Sequence, residues 1–141
     1  MNVDGTLART YADARYVIEM PDGPLTRRIG RIDAHADARL RGHGCRRHWW
    51  IVTPCNPRSQ PLSDAENGAR LARFETELRQ HRWRIHPSHS AAADGRWHER
   101  GFCIFDAEVD AIADLARRYE QNAIVGADLG AAPMLHWQTQ P

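Results

Sequence analysis

One strand-to-helix segment in the middle of the chain constrains the fold most strongly. Trp49 to Val52 is an apolar run of strand length, and Pro54 ends it because proline has no amide hydrogen to pair with a neighbouring strand. Beyond a polar loop, Ser63 and Glu66 have the spacing of a capping box, which begins a helix. The segment predicts a buried strand, a loop and a helix from Asp64 to about Gln80, and loops between rigid elements often carry polar chemistry.

The segments that follow continue this alternation of strands and helices. Trp83 and Ile85 alternate with polar residues and indicate a half-buried strand. Residues 88–100 are small and polar and predict a long loop. Gly101 to Phe105 predicts the next strand, and Asp106 is placed to cap a second helix. Two short strands are then expected, at 123–126 and 133–137.

The order of these elements predicts the fold class. From Trp49 onward it reads strand, helix, strand, strand, helix, strand, with one strand added at the end. This is the split βαβ pattern of a ferredoxin-like sandwich, an α+β fold in which two helices cover one face of a mostly antiparallel sheet. A single domain over residues 1–141 is expected, because no linker or repeat interrupts the chain.

The N-terminal third of the chain predicts additions to this sandwich. A short helix is expected over residues 6–14. Tyr16 to Met20 and Leu25 to Ile29 predict a hairpin around a turn rich in proline and glycine. Asp33 is placed to cap a short helix through Leu40. The hairpin would extend or flank the sheet.

The charge balance narrows the classes of function. The chain has 19 basic and 18 acidic residues and a formal net charge of +1, which argues against nucleic-acid binding because such proteins carry a basic excess. Every basic residue is arginine. Schiff-base chemistry, a lysine general base and a phosphate-loop lysine are therefore excluded.

Cysteine usage and hydropathy indicate the compartment. The three cysteines, Cys45, Cys55 and Cys103, have no framework spacing and suit reduced thiols. No apolar run approaches signal-peptide or membrane-spanning length. A soluble, cytoplasmic protein without a membrane partner is expected.

The first candidate site lies in the central loop and the first turns of its helix. Residues three and four apart share a helix face, so Glu66 and Asn67 can converge with Arg70 and the loop on one polar patch. In the structural alternative, the loop asparagine makes a turn, Ser63 caps the helix and Glu66 pairs with Arg70. The candidate residues for ligand binding are Asn56, Arg58, Ser59, Asn67 and Arg70.

The second candidate is Trp97-His98-Glu99, just before a strand. A tryptophan beside a carboxylate can stack a flat ligand and exchange a proton with it, which makes Glu99 the candidate catalytic base. In the structural alternative, Trp97 covers the sheet edge and Glu99 pairs with an arginine.

Two other chemistries have weaker support. The eight histidines lack the paired spacing of a structural zinc site, so no metal and no cofactor is predicted. Cys55 lies in the central loop, where it is either a nucleophile or a small buried hydrophobic residue, and nothing in the sequence places a histidine beside it.

Taken together, the polar motifs resemble those of a bacterial family catalogued as domain of unknown function 3293. The resemblance runs from roughly Tyr16 to Leu135, although this chain has Pro54 where the family pattern has a small residue. Membership implies a small stand-alone soluble protein, supplies no activity, and adds a third polar segment to the candidate site. The residues that carry it are Thr53, Asn56-Pro57, Ser59, Glu66-Asn67, Arg70, Trp97, Glu99, Phe102 and Gln121-Asn122-Ala123-Ile124.

The expected function is binding of a small polar or nucleotide-like ligand in a pocket built from residues 53–70, 97–99 and 121–122. Arg70 would contact an anion, Trp97 would form a stacking wall, and Asn56, Ser59, Asn67, Gln121 and Asn122 would supply hydrogen bonds. Whether the protein is an enzyme stays open. The alternative is a non-catalytic interaction module, in which the same residues are structural and an exposed tryptophan face docks a partner protein.

Overall fold

The computed structural model describes residues 5–95 and 97–138, and the backbone alone of residues 6 and 7. No helix in these ranges is both long and apolar enough to cross a bilayer. The elements, in chain order, are α1 (Gly5–Asp13), β1 (Arg15–Met20), β2 (Gly23–Arg27), α2 (Ala34–Gly42), β3 (His48–Val52), a 3₁₀ turn (Pro57–Ser59), α3 (Asp64–Gln80), β4 (Ile85–Ala91), β5 (Glu99–Phe105), α4 (Val109–Arg118), β6 (Ala123–Asp128) and β7 (Met134–Trp137).

The strands form one antiparallel sheet in the order β2-β1-β4-β5-β3-β6-β7. Helix α3 connects β3 to β4 with β5 between them, and α4 connects β5 to β6 with β3 between them. The predicted order of elements from β3 onward is confirmed. The two-helix sandwich does not account for the whole molecule, because the sheet has seven strands and the described residues contain four α-helices. The further elements α1, α2 and the β1–β2 hairpin lie in the N-terminal third, where the sequence predicts additions to the sandwich.

Both faces of the sheet are covered, whereas the sequence predicted helices on one face. Side chains of β3 alternate between the faces, as strand geometry requires. Trp49 packs with Leu40 of α2 in one hydrophobic cluster, and Trp50 packs with Phe74 of α3 in a second. We call these the α2 face and the α3/α4 face. The central strand is therefore buried on both sides.

Helix α3 forms as the sequence predicts. The Ser63 hydroxyl accepts a hydrogen bond from the Glu66 N–H at 3.1 Å, and the Glu66 carboxylate accepts one from the Ser63 N–H at 3.2 Å. This completes the capping box and satisfies two helix-terminal donors. Phe74 and Leu78 on the inner side of the helix are fully buried, which fixes α3 against the sheet.

The prediction of a long loop over residues 88–100 is wrong. Strand β4 continues to Ala91, and β5 begins at Glu99. Ser88 pairs with Ile18 on one side and with Gly101 on the other. Small polar residues are typical of loops, but cross-strand pairing to two neighbours outweighs that local preference.

The prediction that Asp106 caps the second helix is also wrong. Helix α4 follows Glu108, which makes no side-chain cap hydrogen bond. The Asp106 carboxylate instead accepts hydrogen bonds from the N–H groups of Arg46, Arg47 and His48, at 3.0, 2.7 and 3.2 Å. The residue thus braces the start of β3 from the end of β5.

The hairpin is tighter than the sequence predicts. Its second strand covers Gly23–Arg27 and not Leu25 to Ile29, because Met20 pairs directly with Gly23 across the turn. The hairpin adds to the sheet through β1, which pairs with β4. Asp33 caps α2 as predicted, accepting a hydrogen bond from the Ala36 N–H at 3.0 Å.

Candidate functional site

Asn56 connects two of the predicted site segments. Its Nδ2 donates to Glu99 Oε2 at 3.0 Å, and its Oδ1 accepts from the Leu62 N–H at 3.0 Å and from Asn67 Nδ2 at 2.8 Å. Its own N–H donates to Asn67 Oδ1 at 3.0 Å. The loop, the start of α3 and the start of β5 are therefore joined through one buried amide.

The third predicted segment, after α4, reaches the same loop. Gln121 Nε2 donates to the backbone oxygens of Cys55 and Tyr119, at 3.0 and 3.1 Å. Asn122 Nδ2 donates to Ser59 Oγ at 2.9 Å. Both side chains are buried, so these amides hold the loop against the end of α4.

The backbone of this region is strained. Asn56, Arg58 and Ser59 have φ of 48°, 54° and 60°, and Trp97 and Glu120 have φ of 53° and 57°. These are five of the seven non-glycine residues with positive φ in the described chain. A left-handed conformation costs an L-residue about 1–2 kcal/mol. Such strain persists only where the surroundings enforce it, and it clusters at functional sites.

The two arginines of the predicted site make contacts within the chain. Arg70 donates to the Pro54 oxygen at 2.6 Å and to the Tyr119 oxygen at 2.7 Å, and its guanidinium lies 5.6 Å from the centre of the Tyr119 ring. Arg58 pairs with Glu120 at 2.9 Å on the surface. In the structural alternative Glu66 would pair with Arg70, but Glu66 closes the capping box.

Glu99 is the buried acid of the region. Its residue exposure is 5%. Burial raises the pKa of its carboxyl to about 7, although hydrogen bonds from the side chains of Asn56 and Trp97 act in the opposite direction. The sequence-based alternative, in which Glu99 pairs with an arginine, is not seen among the described residues. Both protonation forms of Glu99 are therefore populated near neutral pH.

Two small cavities lie against Glu99 on the α2 face, beneath α1. Their volumes are about 30 and 20 Å³. Glu99, Tyr11, Tyr16 and Ser90 line both cavities, and Ser88 lines the larger. A cavity of about 10–15 Å³, measured in the same way, is enough to hold one water molecule. The cavities therefore have room for a water-sized group and not for a nucleotide.

Sequence reasoning missed the residues that complete these cavities. The Tyr11 and Ser59 hydroxyls are 2.9 Å apart. The Tyr16 hydroxyl donates to the backbone oxygen of Tyr11 at 2.6 Å. Ser88 Oγ is buried and has no hydrogen-bond partner in the described chain. The available signal is the spacing of Ser88 and Ser90, which lie two residues apart, as side chains on one face of a strand do. The prediction of a loop over this segment hid that signal.

A larger cavity of about 160 Å³ lies between α3 and the β4–β5 pair. Leu71, Phe102, Arg79 and Arg100 are among its lining residues. None of the predicted site residues lines it. Size alone therefore does not identify the place where the predicted polar residues converge.

Cys55 lacks the environment of a nucleophile. The residue is buried, with an exposure of 5%, and its Sγ lies 3.5 Å from the Arg100 backbone oxygen. Burial raises the pKa of the thiol, which keeps it protonated and unreactive at neutral pH. In the part of the chain that the structure describes, no group of three or more His, Cys, Asp or Glu side chains is arranged to hold a metal ion.

Comparison with known proteins identifies the family. The model of DUF3293, described as a protein of unknown function, matches residues 52–124. The chain belongs to this family. The DUF3293 match contains Asn56, Glu99 and Gln121, whereas Tyr11 and Tyr16 lie before it. It is shorter than the span of the sequence resemblance, and no curated protein or solved structure matches the chain.

Proposed function

We propose that this DUF3293 protein binds a small polar ligand between α1 and the sheet, and that Glu99 exchanges a proton with it. One observation carries the proposal: the buried Glu99 carboxyl lines both cavities and is held in place by Asn56. A carboxyl whose pKa lies near the working pH is suited to general acid–base chemistry. Structural carboxylates that pair with arginine have the opposite shift.

The rigidity of the surroundings supports this proposal. Asn56 is fixed by Asn67 and Leu62, and Trp97 has a left-handed backbone beside Glu99. A site needs its contacting groups held by a second layer of packed and hydrogen-bonded residues. In this proposal Asn56, Asn67, Gln121 and Asn122 position Glu99 and the loop.

The geometry narrows the ligand that the sequence suggested. A nucleotide needs far more room than the two cavities offer. Arg70 donates to two backbone oxygens, so the proposed ligand does not depend on an anion contact from Arg70. The proposed ligand therefore inserts one small polar group beside Glu99 and Ser90, which line both cavities, with Trp97 on the wall of the smaller and Ser88 on the wall of the larger.

We also propose that β3–α3–β4–β5–α4–β6 is a ferredoxin-like unit to which α1, α2, the hairpin and β7 are additions within one domain. The central strand order β4-β5-β3-β6 supports this proposal. The three cysteines are free and buried, which supports a reducing compartment such as the cytoplasm.

A fragment screen by two-dimensional NMR tests the ligand proposal. The ¹⁵N-labelled full chain at pH 8 is mixed with small neutral, cationic and anionic fragments. We expect at least one fragment to shift the Trp97 indole signal and the Ser90 and Glu99 amides. Glu99→Gln should lose the shifts, and Glu108→Gln, which alters an exposed carboxylate on another element, should retain them. If no fragment shifts these signals, the proposal is wrong.

The second candidate function is a non-catalytic interaction module. The observation that favours it is that Asn67, Arg70 and Gln121 use their polar groups within the chain. The edge strand β7 also exposes Met134 and part of Trp137. A large loss of melting temperature in Asn67→Ala, in a protein that binds no fragment, would favour this candidate over the first.

A further inference from the structure

We infer that the ligand carries a primary ammonium group, which enters between Tyr11, Tyr16 and Trp97 and pairs with the Glu99 carboxylate. This inference rests on the proposed function and specifies the chemical class of its ligand. It follows from the composition of the cavity walls, from the hydrogen-bonding capacity left at the site and from the available volume.

The smaller cavity combines aromatic side chains with one carboxyl group. Tyr11, Tyr16, Trp97 and Glu99 line it together. A cation over an aromatic face is attracted by the electron-rich ring, more strongly where it is desolvated. No arginine or histidine is among the described lining residues of either cavity. The described wall residues thus favour positive charge and carry none themselves.

The site has hydrogen-bond acceptors to spare. An ionised carboxylate accepts about four hydrogen bonds, and Glu99 receives bonds from the side chains of Asn56 and Trp97. Ser88 Oγ is buried on the wall of the 30 Å³ cavity and has no hydrogen-bond partner in the described chain. An ammonium group has three N–H donors. Glu99 offers it acceptors in both cavities, and Ser88 adds one in the larger of the two.

The same walls disfavour other ligand classes. Above the pKa of Glu99, an anion would be repelled by its carboxylate, and a neutral group would leave the buried charge without a counterion. Hard metal cations such as Ca²⁺ take six to eight oxygen ligands, whereas three of the side chains around the smaller cavity are aromatic. An organic ammonium group satisfies both the carboxylate and the rings.

The volumes set the size of the group that enters. The cavities measure about 30 and 20 Å³, and a cavity of about 10–15 Å³, measured in the same way, holds one water molecule. A primary ammonium head is of this size, whereas a quaternary ammonium group is several times larger. We therefore expect a primary amine to bind more tightly than its fully methylated counterpart.

Binding should strengthen as pH rises through the titration of Glu99. The other titratable groups that face it are Tyr11 from α1, Tyr16 from β1 and Cys55 from the loop, and burial raises the pKa of all three. His98 and Arg100 flank it and are exposed. With the Glu99 pKa at about 7, the ionised fraction falls about tenfold from pH 8 to pH 6.

The test is a titration of the ¹⁵N-labelled full chain with methylammonium chloride at constant ionic strength. We expect saturable shifts of the Trp97 indole and Ser90 amide signals at pH 8, and an apparent affinity about tenfold lower at pH 6. Methanol, the uncharged analogue, should cause none of these shifts. Tetramethylammonium should bind at least tenfold more weakly than methylammonium.

Matched variants assign the effect to Glu99. Glu99→Gln, checked for a folded NMR spectrum, should weaken methylammonium binding at least tenfold, and Glu108→Gln should leave it unchanged. Equal shifts from sodium chloride or methanol, or an unchanged affinity in Glu99→Gln, would overturn the inference. If methylammonium fails while a neutral or anionic fragment shifts the same signals, the amine class is wrong and the proposed function stands. If nothing shifts them, both are wrong.

Discussion

Asn56 and Asn67 form a reciprocal pair in which each residue donates to the side-chain oxygen of the other. The Asn56 N–H donates to Asn67 Oδ1 at 3.0 Å, and Asn67 Nδ2 donates to Asn56 Oδ1 at 2.8 Å. The side-chain Nδ2 of Asn56 donates to the Glu99 carboxyl. The pair therefore fixes the loop to α3 and orients the group that holds the buried acid.

A double-mutant cycle measures this pair. Asn67→Ala should lower the free energy of unfolding by about 1–3 kcal/mol, because it leaves the Asn56 N–H without its partner. Asn56→Gly is the matched variant, since glycine tolerates the left-handed backbone of Asn56. Glycine keeps the backbone N–H, so the cycle measures the bond from Asn67 Nδ2 to Asn56 Oδ1. Urea denaturation of the two single variants and the double variant should give a coupling energy of about 1–2 kcal/mol. Additive effects would contradict the pairing.

Glu99 should make stability depend on pH. The folded-state pKa of about 7 lies above the ordinary value of 4.5, so the folded chain binds the proton more tightly than the unfolded chain. The stabilisation is complete below about pH 4.5 and is lost as pH rises to 7. Relative to Glu99→Gln, the wild-type free energy of unfolding should fall by about 2–3 kcal/mol between pH 5 and pH 8.

Urea denaturation of the wild type and of Glu99→Gln at pH 5, 6.5 and 8 checks this pH dependence. Taking the difference between wild type and Glu99→Gln removes the contributions of groups common to both. A difference that does not change with pH would show that the Glu99 carboxyl titrates at its ordinary value. A difference that grows in the opposite direction would show that a cation stabilises the carboxylate.

The parts of the fold that the sequence predicted are those with local signals. The capping box of Ser63 and Glu66 and the apolar stripe ending at Leu78 lie within one helix, so α3 could be placed to the residue. Ser88 to Ser90 carry no such signal. They are a strand because β1 and β5 lie on either side of them, and this depends on residues far apart in the chain.

The candidate site was predictable to the same extent. Asparagine and glutamine at the loop and after α4 indicated polar contacts, and the structure joins Asn56 to Asn67 and Gln121 to Cys55. The cavity beside Glu99 was not predictable. It forms because Tyr11 of α1 folds over the sheet against Ser59 and the ring of Trp137, and no periodicity in the sequence places α1 there.

Gly101 should be intolerant of any side chain. A Cβ at this position would lie 2.3 Å from the Val52 backbone oxygen, so Gly101→Ala must displace β3 or β5. We expect a loss of about 1–3 kcal/mol or more, as for other overpacked positions. Gly68→Ala is the control, because nothing lies within 4 Å of its Cβ and alanine stabilises a helix interior by about 1 kcal/mol. Equal melting temperatures for the two variants would contradict this packing.

Asp106 should support β3 through its acceptors and not through a helix cap. Burial raises the pKa of its carboxyl, but hydrogen bonds from the backbone N–H groups of Arg46, Arg47 and His48 lower that pKa by more. The net pKa therefore lies below its ordinary value. Its stabilisation is therefore present above about pH 4 and is lost as pH falls through the folded-state pKa.

Three substitutions at this position separate the acceptors from the backbone strain. Asp106 has φ of 60°, which asparagine and glycine tolerate better than alanine. Asp106→Gly should lose about 1–3 kcal/mol of unfolding free energy because three N–H groups lose their acceptor. Asp106→Ala should lose about 1 kcal/mol more, and Asp106→Asn, which keeps one oxygen, should lose least and lack the acid sensitivity. If Asp106→Asn and Asp106→Gly were equally stable in urea denaturation at pH 7, the acceptors would not contribute.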